Sequence, residues 1–234
     1  ISSSDLHFDF ASPRIPLLPF KRPTIVSVAG RHGTVDFNND SYEPRIIQVD
    51  CLIHADTQDE LNGYMTAAAK WLSGSGYLIF DHDTSKRWWG KVYDVVDLDY
   101  RIPLYHHFTV TFECRPFAED VTETTEAEVG TEVDYGSDVT FYPKINITLT
   151  ADASFVQVSL LSTGEYVRIE DTLSNGDMVV FDMSAGKATV NGTYHPVTIQ
   201  SLFFGVPPGP QTITVSATST FTASMDYRKR YYYA

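Results

Sequence analysis

The residues best suited to chemistry fall in a few short clusters. Asp81, His82, Asp83 and Thr84 bring carboxylates, an imidazole and a hydroxyl into four consecutive positions, the donor types that hold a divalent cation. Their spacing, however, is that of a polar turn, and neither a calcium-binding loop nor an HExxH pair is present. His106 and His107 adjoin the start of a strand, where consecutive side chains face opposite ways and make a poor ligand pair. The chain has no GxSxG elbow, no phosphate-binding glycine loop and no CxxC pair. No catalytic, metal-binding or cofactor-binding residue is therefore expected, and the chain reads as a non-enzyme. Trp88 and Trp89, near Tyr93 and Tyr100, suggest a stacking platform for a sugar or base. In a strand the two indoles diverge, so one packs inward, and both are assigned to core or subunit interface. Arg228, Lys229 and Arg230 before Tyr231 to Tyr233 form the one basic-aromatic cluster, read as a last strand with its tyrosines turned inward.

The elements that must position these groups are mostly strands. Pro13, Pro16, Pro19 and Pro23 forbid a helix over residues 11–23 and predict an extended arm. Its apolar residues Ile15, Leu17, Leu18 and Phe20 need a partner surface, in the same subunit or a neighbour. Strand-turn patterns follow through IIQVDCLIH, in which Ile47, Val49, Cys51 and Ile53 share a face. The same alternation groups Phe108, Val110, Phe112 and Cys114, so both cysteines read as buried free thiols, with an inter-strand disulfide as the minority alternative. A helix is predicted over residues 57–73. Thr57 and Glu60 form a capping box, Leu61, Met65, Ala68 and Leu72 line one face, and Gly74 and Gly76 stop it.

The 234 residues and 43% apolar content describe a folded chain long enough for two domains. Residues 1–117 read as an α+β domain, 118–141 as an acidic linker with an exposed edge strand, and 142–234 as a β-sandwich of short strands divided by glycine turns. The fold class is thus mainly β, with one helix. The formal charge is −13, and residues 118–138 hold eight acids and no base. Such a field disfavours sequence-independent nucleic-acid binding. No apolar run reaches bilayer-spanning length and the opening residues lack signal-peptide character, so no membrane partner is expected. Two readings remain, a structural adaptor and a carbohydrate-binding β-sandwich module attached to an accessory domain.

The segments RPTIVSVAGRHGTVDFNNDSYEPRIIQVDCLI, GYLIFDHDTSKRWWGKVYDV and FTVTFECRPFAED, with the intervening helix, resemble the phage distal tail protein family of long non-contractile tails. The resemblance continues through Tyr142 to Ile145, Thr163 to Glu165, Gly176-Asp177, Val190 to Gly192 and Pro208-Gly209, and so covers nearly the whole chain. It implies an N-terminal domain that assembles six copies into a ring and a galectin-like C-terminal sandwich outside it. It further implies a hub at the distal end of the virion tail, assembled in the host cytoplasm. The implied partners are the tail tube protein, the tape-measure end, the tail-associated tip protein and, in some phages, a receptor-binding protein, with DNA only as passing cargo. The turns between the C-terminal strands are short, which resembles the compact members and weighs against a direct grip on a receptor-binding protein.

Overall fold

A computed structural model describes residues 7–37, 41–94, 99–126 and 129–233. One unit comprises the chain up to Ala118 together with Tyr232 and Tyr233, and the other comprises Glu119–Tyr231. The first contains β1 (Phe8–Phe10), β2 (Ile25–Ser27), β3 (Thr34–Asp36), β4 (Arg45–His54), α1 (Gln58–Leu72), β5 (Ser75–Phe80), β6 (Asp83–Val92), β7 (Asp99–Ile102) and β8 (Tyr105–Cys114). Its sheet runs β1-β4-β8-β6, with β5 added to β6 and β7 to β8, while β2 and β3 form a separate ribbon.

β4 and β8 pair antiparallel along their full length, from Arg45 opposite Cys114 to His54 opposite Tyr105. Their period-two patterns bury Ile47, Val49, Cys51 and Ile53 with Phe108, Val110, Phe112 and Cys114. Both cysteines are free and buried, and burial pushes each thiol up to about 12. Cys51 faces Phe108 whereas Cys114 faces Arg45. At ~3.4 Å per residue the two thiols are roughly 20 Å apart along the ladder, beyond disulfide reach.

The helix start carries the N-cap half of the expected box: the Glu60 amide donates to Thr57 Oγ1 at 3.3 Å. Leu61 and Ala68 are buried on the face turned toward β4. Its end differs from expectation. Ser73, in αR geometry, donates its amide to Ala69 O, and Gly76 belongs to β5. The stop comes from the strand pairing that begins at Ser75, not from a left-handed glycine.

Gly90 is needed for the sheet to close, because a Cβ there would lie 2.6 Å from Cys114 Sγ and 3.2 Å from Glu113 O. We expect Gly90→Ala to destabilise the unit by about 1–3 kcal/mol through overpacking. In a Cys114→Ala background the same change should cost much less. Urea midpoints of the four proteins measure this, and additive losses would contradict the clash.

The second unit takes β9 (Ala118–Asp120) at its boundary, then β10 (Thr124–Glu126), β11 (Glu132–Asp134), β12 (Lys144–Leu149), β13 (Ala153–Leu160), β14 (Tyr166–Leu173), β15 (Met178–Asp182), β16 (Lys187–Val190), β17 (Thr193–His195), β18 (Pro210–Ala217), β19 (Phe221–Tyr227) and β20 (Arg230–Tyr231). A six-stranded sheet, β10-β19-β12-β15-β16-β17, faces a four-stranded one, β11-β18-β13-β14. Ile145, Ile147, Val156, Val158, Val167, Ile169, Phe181 and Ile213 fill the core between them. The mainly β fold with one helix and a C-terminal sandwich is thus the fold of the chain.

The acidic stretch is built into this sandwich, because β10 pairs with β19 and β11 with β18, giving each sheet a short acidic outer strand. Acidic side chains on such short outer strands discourage indiscriminate pairing. The basic cluster serves the same region: Arg228 donates to the carbonyls of Asp120 and Val121, and Arg230 to that of Thr140.

Candidate docking surface

In the first unit, the arm follows β4 before leaving it. Ala11 and Arg14 donate backbone amides to Asp50 O and Gln48 O, and the Arg14 guanidinium pairs with Asp50. Further on, the Glu43 amide donates to Phe20 O, the Arg22 amide donates to Ser41 O, and Arg22 forks onto Glu43. Between these ties the prolines remove backbone donors and exclude a helix, and the chain bends at Leu17 and Leu18. Pro19 turns inward and Ile15 is half-buried, while Leu17, Leu18 and Phe20 are 70%, 64% and 68% exposed. Three large exposed apolar side chains on a backbone fixed at both ends make this arm a candidate docking surface.

The tie beneath the arm is Arg45. Its guanidinium donates to Pro16 O and to Tyr232 O, each at 2.7 Å, and lies 4.7 Å from the centre of the Trp88 ring. The residue is 2% exposed, its Nε has no hydrogen-bond partner, and burial lowers its pKa to about 10. Tyr232 is held in turn by edge-on contact with Phe117, which also meets Tyr42. One buried cation therefore joins the arm to the segment that returns after β20. Period-two alternation puts Arg45 on the inward face with Ile47, but nothing local names the distant carbonyls it meets, so sequence reasoning missed this role.

The tryptophans divide as alternation requires, but only one can serve an interface. Trp88 is 1% exposed and is sealed within its own subunit beneath Arg45, which corrects its assignment as an interface candidate. Trp89 is half-buried and meets Tyr77 edge-on.

The other clusters are structural. Asp83 accepts from the Ser85 amide and hydroxyl and pairs with Lys86 at 3.0 Å, so its carboxyl falls to about 2. Among the described residues no three His, Cys, Asp or Glu side chains converge as a metal site. His106 turns into the core and His107 outward. A groove of about 460 Å³ presents Arg22, Lys91 and Arg115, but Glu43 holds the first, Glu113 the second, and Arg115 lies over Trp89.

In the second unit, exposed Tyr194 lies on the outer strand β17 and exposed Tyr142 precedes the central β12, so the two do not form one platform. The nearby loop is pinned by His195. Its Nε2 meets Asp171 and its Nδ1 meets Pro196 O, both at 2.9 Å, an arrangement that only the imidazolium satisfies on both sides. The His195 pKa is raised, first by the Asp171 hydrogen bond, so its contribution is complete below the ordinary 6.5 and is lost as pH rises through the folded value. The Asp171 pKa is lowered by the same bond, so its contribution is lost as pH falls below the ordinary 3.8. We expect the thermal-midpoint difference between wild type and His195→Gln to shrink on raising pH from 6.5. A difference unchanged across that range would contradict the pairing.

Comparison with known proteins supplies the context for the docking surface. Residues 6–114 match the family model of the phage tail protein RIFT-related domain, and residues 136–231 that of the siphovirus-type tail component, C-terminal domain. The crystal structure of the SPP1 Dit (gp 19.1) protein is similar over 97% of this chain and 95% of its own, with a TM-score of 0.82 and 18% identity. It is described as a paradigm of the hub adsorption apparatus in Gram-positive infecting phages. At that identity the likeness establishes the shared fold. No curated protein sequence matches the chain.

Proposed function

Since the chain belongs to the phage distal tail protein family and is a hub component of a siphophage tail, we propose that six copies close into a ring at the distal end of the tail. The ring joins the tail tube and tape-measure end to the tail-associated tip protein and leaves a channel through which DNA passes. The observation that carries this reading is the arm, whose Leu17, Leu18 and Phe20 stand uncovered on a backbone fixed at both ends. A closed ring repeats one heterologous contact, so each copy must present a protruding surface and a different receiving one. Ile15 and Trp89, both half-buried, would serve as secondary contacts.

The formal charge of −13 per copy suits a conduit, because a negative wall does not retain phosphate backbones. It also repels neighbouring copies, so apolar and strand-edge contacts must offset that repulsion. Assembly follows synthesis in the host cytoplasm, and short turns between most sandwich strands, the connection over residues 196–209 excepted, support a compact hub without a long receptor-gripping arm. Light scattering on the purified chain tests the reading through its mass, and negative-stain images test the ring.

A further inference from the structure

Among the described residues, β2 and β3 pair only with each other. Val26 lies opposite Val35, so these two share one face of the ribbon with Val28 and Phe37. Phe37 is 61% exposed and Val26 and Val28 are also exposed, while Val35 is half-buried. A two-stranded ribbon is marginal in water even when its surface is polar, so this one is built to be completed by another surface.

The same unit contains a matching vacancy. Among the described residues β5 pairs with β6 alone, leaving its outer edge open, with Tyr77 and the 50%-exposed Ile79 on one face. Charge orients the match. The ribbon's tip carries exposed Arg31 and His32, and β5 runs into a turn whose Asp81 is exposed. Tip against turn makes β3 antiparallel to β5 and sets Phe37 opposite Tyr77 and Val35 opposite Ile79, apolar against apolar.

Among the described residues the two edges do not pair within one chain. We infer that β3 of one copy adds antiparallel to the open edge of β5 in the next copy, with the Arg31 tip beside the neighbour's Asp81. This inference rests on the ring reading above and specifies its contact. A ribbon edge meeting a different edge is heterologous, so every copy gives one strand and receives another, as ring closure requires.

The test places Phe37→Cys and Tyr77→Cys in one chain and treats it with a short bis-maleimide. Cys51 and Cys114 are buried and supply little background. The expected product is a ladder of covalent multimers rising to six, absent from either single variant. Asp81→Arg or Arg31→Asp alone should weaken association about tenfold, and the two together should restore it, since like charges brought together in an interface are repulsive. A wild-type ring whose double-cysteine variant gives no ladder, or a ladder stopping at two, overturns this pairing and leaves the ring standing. A wild-type chain that remains monomeric overturns the ring reading, and this contact with it.

Discussion

Exchanging Leu17, Leu18 and Phe20 together for aspartate should reduce the protein to a well-folded monomer. All three side chains are exposed in the isolated subunit, and surface changes of this kind usually shift stability by within about 0.5 kcal/mol. In the assembly each would lose roughly 1.5–3 kcal/mol of apolar burial. Each new carboxylate would also lose hydration against an apolar partner. Adjacent subunits already repel through their net charge, so association should weaken by several powers of ten. Sedimentation velocity reads the mass, and circular dichroism with a thermal melt checks the fold. A triple variant that assembles like wild type would remove the arm from the interface.

Replacing Arg45 with methionine should release the arm and the returning segment together. Methionine keeps the alkyl packing and a favourable contact with the Trp88 ring. It cannot donate to Pro16 O or Tyr232 O, which Arg45 now serves at 2.7 Å each. Hydrogen bonds to a charged donor contribute about 1.5–3 kcal/mol apiece, offset in part by relief from burying a guanidinium. The expected net loss is about 2–3 kcal/mol, because the freed carbonyls regain water when the arm lifts. Hydrogen exchange should accelerate in residues 14–20 and 231–233 at once, while the β13–β14 core of the second unit stays protected. Arg45→Lys should recover part of the effect, since one ammonium lacks the planar fork that spans both carbonyls. Exchange rising in one segment alone would show that the two are not joined through Arg45.

Local rules made much of this molecule readable. The N-cap bond from the Glu60 amide to Thr57 forms as expected, and period-two alternation assigned the buried faces of β4 and β8 correctly. The prolines of residues 11–23 announced a non-helical arm, and its apolar residues announced the need for a partner surface in the same subunit or a neighbour. Long-range partners were not readable. Alternation requires Trp88 and Trp89 to diverge, but which indole goes inward depends on where Arg45 arrives from β4. Arg45 itself gains its role from carbonyls 29 and 187 positions away. The acidic stretch read as linker with an edge strand, because pairing with β18 and β19, near the far end of the chain, leaves no local mark. Family resemblance supplied the tail-hub context, and the exposed side chains of the arm and ribbon carry the mechanism proposed for it.

The most direct test of the central claim is the mass of the intact chain in solution, measured by light scattering across a concentration series and confirmed by native mass spectrometry. The ring account predicts a species of six times the 26.2 kDa subunit, growing with concentration at the expense of monomer without accumulated intermediates. A chain that stays monomeric throughout, or that closes at another subunit number, would contradict it.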